Sequence, residues 1–125
     1  INSNNIKFKI LKENHILSIG SLEVSIKNAV GRFPETPIIV EVETLEELRS
    51  SLLSKYITRI LCDNFDIQDL KEAVKISRGI YPLEASGGIT ESNILEYAET
   101  GVDFISIGSL TKDIRSIDFS LRFCS

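Results

Sequence analysis

The chain has no methionine, only two cysteines and a single histidine in its 125 residues. Cys62 and Cys124 lie far apart and fit neither the spacing of a metal site nor a disulfide framework, which excludes domains held together by disulfides or zinc. Cys62 is expected to be a small buried apolar residue at the end of a strand. Because translation starts at methionine and this chain starts at Ile1, we expect a processed piece or part of a longer protein.

The chain also lacks a large excess of charge of one sign, and it lacks long apolar runs. The net charge is -4, from 14 Lys and Arg against 18 Asp and Glu, which leaves no basic footprint for nucleic acid. No apolar run has the length needed to cross a bilayer, and no charged leader precedes an apolar core. These features predict a protein of the cytoplasm or the plastid stroma that binds neither nucleic acid nor membrane.

Short apolar segments recur along the chain, and stretches with helical periodicity separate them. The segments are nearly continuous in apolar residues, as parallel strands covered on both sides are. Helices are expected to begin at the N-caps Ser21, Thr44, Asp66 and Thr90, with Glu47 completing a capping box. The sequence therefore predicts an α/β fold with strands near 8–11, 38–40, 60–62, 81–83 and 104–107.

About five parallel strands cannot close a (β/α) barrel, which needs about eight. We therefore expect residues 1–125 to form a single unit, a partial (β/α) barrel. An open sheet of flavodoxin type, which is stable with about five strands, is the alternative. Residues 117–123 alternate strictly between apolar and polar, which predicts an extra C-terminal strand with one wet face.

Glycines follow two late strands of the predicted barrel. Ser86-Gly87-Gly88 directly follows one strand and precedes a helix, so backbone N–H groups and the helix dipole would favour a phosphate. Gly108-Ser109 repeats this arrangement, with Thr111 nearby. Glycines also make plain turns, but a pair of such loops after consecutive strands is typical of barrel phosphate sites.

Acidic and basic residues also follow the strands. Glu41 and Asp63 are expected to bind sugar hydroxyls or a magnesium-bound diphosphate, because buried carboxylates need a partner. Glu43 lies on the same side of its strand as Glu41, or belongs to the solvated start of the next helix. Lys12 can pair with a substrate carboxylate, and His15 is either structural or part of the same site.

Several of these segments, in order, resemble the quinolinate phosphoribosyltransferases, the carboxylating nicotinate-nucleotide pyrophosphorylases. The similarity covers nearly the whole chain and rests on long motifs in register. The matching motifs are LKENHI at 11–16, VEVE at 40–43, CDNF at 62–65, LEASGGIT at 83–90, YAETGVDFISIGSLTK at 97–112 and IDFSLRF at 117–123.

The resemblance implies transfer of phosphoribosyl from phosphoribosyl pyrophosphate to quinolinate, with loss of CO2 and with Mg²⁺ as cofactor. Lys12, Glu41 and Asp63 would be catalytic, with Lys12 on a quinolinate carboxylate and the two acids on ribose and magnesium-diphosphate. His15 would also touch substrate. The 5-phosphate would lie against the two glycine loops, formed by Ser86, Gly87 and Gly88 and by Ile107, Gly108 and Ser109.

The family also has an N-terminal sandwich domain and earlier barrel strands, which supply arginines and a further histidine. On that comparison the chain is the C-terminal portion of the barrel, and the intact enzyme is a homodimer or higher oligomer. Glu13 and Lys112 depart from the family pattern, which often has aspartate and histidine there. Rival interpretations are another phosphate-binding barrel synthase, a related pyridine phosphoribosyltransferase, or a non-catalytic phosphate-binding half-barrel.

We expect the isolated 125-residue chain to retain much of the phosphoribosyl side and to turn over quinolinate weakly or not at all. Turnover of quinolinate by the purified chain would contradict this expectation. Calorimetry with phosphoribosyl pyrophosphate and with quinolinate separately discriminates the rival interpretations. Binding of the first ligand alone would favour a bare phosphoribosyl-binding module.

Overall fold

The computed structural model describes residues 6–9, 18–108 and 110–116, and within them strands and helices alternate. None of the helices in those ranges is long and apolar enough to cross a membrane. A short 3-10 helix, Ile114–Ser116, ends the described chain. The elements are β1 Ile6–Lys9, α1 Ser18–Arg32, β2 Ile38–Val42, α2 Leu45–Ser51, β3 Arg59–Asp63, α3 Ile67–Ser77, β4 Leu83–Ser86, α4 Ile94–Ala98, β5 Phe104–Ile107 and β6 Leu110–Asp113.

The six strands form one sheet in the order β1-β2-β3-β4-β5-β6. The first five are parallel neighbours, and β6 pairs with β5 in the antiparallel direction. Strands that follow one another in strict order place their helices on the same side, as a (β/α) barrel does. A flavodoxin-type sheet reverses its strand order and carries helices on both sides, so that alternative is excluded. The partial barrel is confirmed.

Alternation along the strands divides their side chains between two faces. One face packs under the helices and forms a single apolar core. The other face carries Arg59 and Asp63 of β3, Glu84 of β4 and Ser106 of β5. Fully buried members of the core include Ile26, Val40, Val42, Leu48, Ile60, Cys62, Leu70, Ala73, Ala85 and Ile105.

Two predicted helix caps are confirmed. Thr44 is the N-cap of α2, and its hydroxyl accepts a hydrogen bond from the Glu47 N–H at 3.1 Å. The Glu47 carboxylate completes the box by accepting from the Glu43 N–H at 2.7 Å. Asp66 caps α3 by accepting from the Asp69 N–H at 2.8 Å. Both caps satisfy N–H groups that the first helical turn leaves without a partner.

Other boundaries were predicted wrongly. Helix α1 begins at Ser18, so Ser21 lies inside it and is not its N-cap. Asn93, and not Thr90, is the N-cap of α4. Strand β4 starts at Leu83, two residues later than expected.

The antiparallel strand β6 was not anticipated, because Leu110-Thr111-Lys112-Asp113 has neither an apolar run nor clear alternation. Strand β1 begins two residues before the predicted start at Phe8, while residues 10 and 11 lie outside the described part of the chain. The predicted extra strand at 117–123 also lies outside it.

Leu48 is fully buried in the core, whereas Leu53, just beyond the same helix, is 66% exposed. Leu48→Ala is expected to lower the free energy of unfolding by about 2–5 kcal/mol, because it removes buried methyl groups and leaves a cavity. Leu53→Ala is the matched control and should change it by no more than about 0.5 kcal/mol. Urea titration measures both, and equal effects would contradict the placement of the core.

Candidate active site

The strand ends place most of the sequence-predicted residues at one edge of the sheet. Glu41 is the penultimate residue of β2, and Asp63, Ser86 and Ile107 are the last residues of β3, β4 and β5. Asp63 and Ser86 are register partners on adjacent strands. Because these strands are parallel, their carboxyl ends open on the same side, which is where (β/α) folds bind ligands.

Three carboxylates meet at this edge. One oxygen from each of Glu41, Glu43 and Asp63 lies within 4.8 Å of the others. Glu41 and Asp63 are partly buried. The Glu43 backbone takes part in the cap of α2 while its side chain joins this acidic group, so the two interpretations of Glu43 are compatible. Oxygens grouped in this way are ligands of the kind that Mg²⁺ prefers.

The turns after β3 and β4 are in direct contact. The Asn64 N–H donates to the Ser86 carbonyl at 2.8 Å. A Cβ on Gly87 would lie 2.6 Å from Asn64 Oδ1 and 3.0 Å from the Asn64 nitrogen. Both Asn64 and Gly87 have positive φ, at 62° and 97°. Glycine at position 87 therefore allows the turn after β4 to approach the end of β3 closely.

The sequence predicts that the turn after β4 leads directly into a helix, and this prediction is wrong. Gly88, with φ of 70°, is followed by a turn in which Asn93 Nδ2 donates to the Gly88 carbonyl at 3.1 Å. Asn93 Oδ1 in turn accepts from the Thr90 N–H at 2.8 Å. Helix α4 begins only at Ile94 and has 5 residues. An anion at this turn would therefore be held by backbone N–H groups of the glycine segment and not by a helix dipole.

The connection after β5 is a hairpin and not the start of a helix. Ile107 and Leu110 are paired in the antiparallel direction, so the chain reverses direction between these two residues. Gly108 has φ of 61°, a conformation that such hairpin turns require. Ile107 is partly buried and Gly108 is exposed at the carboxyl edge. Lys12, His15 and Ser109 lie outside the described residues, so their predicted roles stay predictions.

Glu84 is a buried acid that the sequence interpretation missed. It lies inside β4 and is 4% exposed. The strand was expected to end at residue 83, which left Glu84 in a loop. The alternation of Leu83 and Ala85 with Glu84 and Ser86 is the signal that places the acid on the face opposite the helices.

Cys62 lies near this acid, but its surroundings are not those of a catalytic thiol. It is a free, fully buried cysteine in the core under the helices. Burial, and to a lesser extent the Glu84 carboxylate, raises the pKa of Cys62 from 9.0 to about 12. A thiol that stays protonated is a poor nucleophile, so the expectation of a structural cysteine fits this geometry.

Helices on one side of a parallel sheet, with acids and glycine turns at its carboxyl edge, make this chain part of a (β/α)-barrel protein. The profile of the family "Quinolinate phosphoribosyl transferase, C-terminal domain" matches residues 7–122. The chain belongs to this family.

Three relatives illustrate the match. A "Probable nicotinate-nucleotide pyrophosphorylase [carboxylating]" of Methanocaldococcus jannaschii is 40% identical over 124 residues, which cover 90% of this chain and 42% of that protein. A nicotinate-nucleotide pyrophosphorylase of Mycobacterium leprae is 36% identical over 115 residues, covering 90% and 40%. The solved nicotinate-nucleotide pyrophosphorylase of Francisella tularensis superimposes with a TM-score of 0.69 at 34% identity, covering 88% of this chain and 38% of that one. The chain therefore spans less than half the length of these relatives.

Gly87→Ala should destabilise the protein more than Gly79→Ala does. Both residues have positive φ, at 97° and 79°, but only Gly87 has atoms where the new methyl group would lie. Each change costs about 1 kcal/mol for the left-handed backbone, and crowding against Asn64 adds about 2 kcal/mol at position 87. Urea unfolding of the two variants measures the difference, and equal losses would contradict the close approach of the two turns.

The Cys62 thiol is expected to resist iodoacetamide in native Cys124→Ser protein at pH about 9, where about half of an unperturbed thiol is ionised. Its raised pKa also means that stability falls as the pH rises from 9.0 toward about 12, because the unfolded chain loses the thiol proton first. Mass spectrometry follows the labelling, with urea-unfolded protein as the reactive control. Rapid labelling of the native protein would contradict the burial.

Proposed function

We propose that this chain forms the phosphoribosyl side of a carboxylating nicotinate-nucleotide pyrophosphorylase. The reaction joins the quinolinate nitrogen to C1 of the ribose of phosphoribosyl pyrophosphate and releases pyrophosphate. The bond to the 2-carboxylate then breaks and CO2 leaves. The electron pair that stays on the ring carbon takes a proton from water, which gives nicotinate mononucleotide. The observation that carries this proposal is the meeting of Glu41, Glu43 and Asp63 at the sheet edge where the Ser86-Gly87 turn lies beside Asp63.

The carboxylates have a clear electrostatic role in such a transfer. As pyrophosphate departs, positive charge develops on the ribose ring, and fixed negative groups stabilise that charge without reorganising. Glu41 and Asp63 are partly buried, so their charges are less screened than those of exposed acids. The two residues also accept hydrogen bonds from ribose hydroxyls and so hold the sugar in place for attack.

Magnesium fits the same acids. Glu41, Glu43 and Asp63 each offer a carboxylate oxygen, and these oxygens lie within 4.8 Å of one another. The three side chains would therefore hold a Mg²⁺ directly or through water. When bound, the ion neutralises charge on the diphosphate, and these side chains keep it beside the ribose.

The remaining contacts follow the order of the strands. Backbone N–H groups of the turn at Ser86, Gly87 and Gly88, and of the hairpin turn at Gly108, would cradle the 5-phosphate. Lys9, the last residue of β1, is the register partner of Glu41, so the chain leaves β1 at the acidic edge. Lys12 follows three positions later and would pair with a quinolinate carboxylate, with His15 close by in sequence.

The intact enzyme is proposed to be a homodimer or higher oligomer, in keeping with a site that a neighbouring subunit completes in the resembling family. Its proposed location is the cytoplasm or the plastid stroma.

Asp63→Asn is expected to weaken Mg²⁺-dependent binding of phosphoribosyl pyrophosphate about a hundredfold, because it removes one of the three converging negative charges. Asp69→Asn, an exposed acid on α3, is the matched control and should bind as wild type does. Calorimetry with phosphoribosyl pyrophosphate, with and without Mg²⁺, measures both. Equal affinity of the two variants would contradict the assigned site.

A hybrid enzyme tests the whole reaction. In the Methanocaldococcus jannaschii relative, the segment that matches this chain is replaced by residues 1–125, and formation of nicotinate mononucleotide from quinolinate is measured. The hybrid is expected to be active, and Asp63→Asn should abolish most of that activity. A folded hybrid that binds phosphoribosyl pyrophosphate but never forms the nucleotide would favour a non-catalytic phosphate-binding barrel.

A further inference from the structure

We propose that Glu84 is a positioning residue that ties the turn after β4 to the hairpin turn after β5, and so sets the spacing of the two phosphate-binding segments. This inference rests on the proposed function. Glu84 touches neither turn itself. It acts through a partly buried network, with Glu84 as its most buried member, that joins four neighbouring strands.

The Glu84 carboxylate uses both of its oxygens. Oε2 accepts hydrogen bonds from the Ser106 hydroxyl and, at 3.2 Å, from the Thr111 hydroxyl. Oε1 lies 3.1 Å from Arg59 Nε, an ion-pair contact in which the N–H is not aligned for a hydrogen bond. Arg59 belongs to β3, Ser106 to β5 and Thr111 to β6, so a single side chain of β4 connects all three.

Because the Glu84 carboxylate is buried, it needs these polar partners. The Glu84 side chain is 6% exposed, and a charge removed from water in this way is tolerated only with partners. The Arg59 guanidinium is itself held in place, since it stacks 4.3 Å from the centre of the Phe104 ring. Arg115 lies 4.5 Å from the same ring. Movement of β5, or of β6, would in each case remove one of the two hydrogen bonds to the carboxylate, so the network resists such movement.

The network lies next to both turns. Glu84 precedes Ser86 by two residues on the same face of β4, a rise of about 7 Å. Ser106 and Thr111 are register partners that flank the Gly108 turn. The carboxylate therefore links the base of the hairpin to the strand that ends in the Ser86-Gly87-Gly88 turn. A ligand phosphate that contacts both turns depends on this link, whereas a ligand at the other end of the site does not.

Steady-state kinetics of the hybrid enzyme test this role. Glu84→Leu is expected to raise the KM for phosphoribosyl pyrophosphate about tenfold, while the KM for quinolinate stays within about twofold. Glu84→Gln keeps the shape and most hydrogen bonds and should recover much of the loss. Glu72→Gln, an exposed acid on α3, is the control. Parallel rises in both KM values, or a lowered unfolding midpoint with unchanged KM values, would overturn the proposal.

A second measurement needs no substrate and no activity. Thr111→Val removes one hydroxyl of the network from the 125-residue chain, and Thr100→Val removes a comparable hydroxyl that donates to the Tyr97 carbonyl. Amide resonances of Gly87 and Gly88 are expected to shift in the first variant and not in the second. Shifts confined to β5 and β6 would overturn the coupling. A hybrid without transferase activity would contradict the proposed function. The amide shifts would still decide the role of Glu84, because they do not depend on activity.

Discussion

In the part of the chain that the structure describes, the fold depends on packing four helices against one side of a mainly parallel sheet. Since side chains alternate along each strand, residues such as Val40, Ile60 and Ala85 fill the apolar core on that side. The other side of the same strands is then released from the core and can carry charge. Asp63, Glu84 and Arg59 all lie on that side. A doubly wound sheet has no such face, because helices cover both sides.

Two kinds of acid occupy this second face, and their surroundings differ. Glu41 and Asp63 lie at the carboxyl edge and are partly buried, in reach of a ligand. Glu84 lies deeper and has hydroxyl and guanidinium partners of its own. The outer acids are suited to bind and the inner acid to hold its neighbours in place. The three residues are all acids, so their different roles come from their distance from the carboxyl edge and not from the residue type.

The fold and the edge position of the acids could be predicted because they depend on local patterns. Apolar runs with polar ends indicate parallel strands. The caps at Thr44 and Asp66 are hydrogen bonds between residues three positions apart, so the local sequence predicts them. Strand β6 escaped prediction because its residues are polar and its pairing is set by the Gly108 hairpin turn. Glu84 escaped because its partners Arg59 and Thr111 are distant in sequence, and only the strand register brings them together.

The antiparallel strand β6 limits where further parallel strands could join the sheet. It occupies the free side of β5, so a further parallel strand brought in by a helical crossover could no longer pair there. A further parallel strand that pairs directly with a parallel neighbour in the described sheet can therefore be added only beside β1. A chimeric barrel that adds such a strand beside β5 would first have to separate β6 from β5, and with it the Thr111 hydroxyl from Glu84.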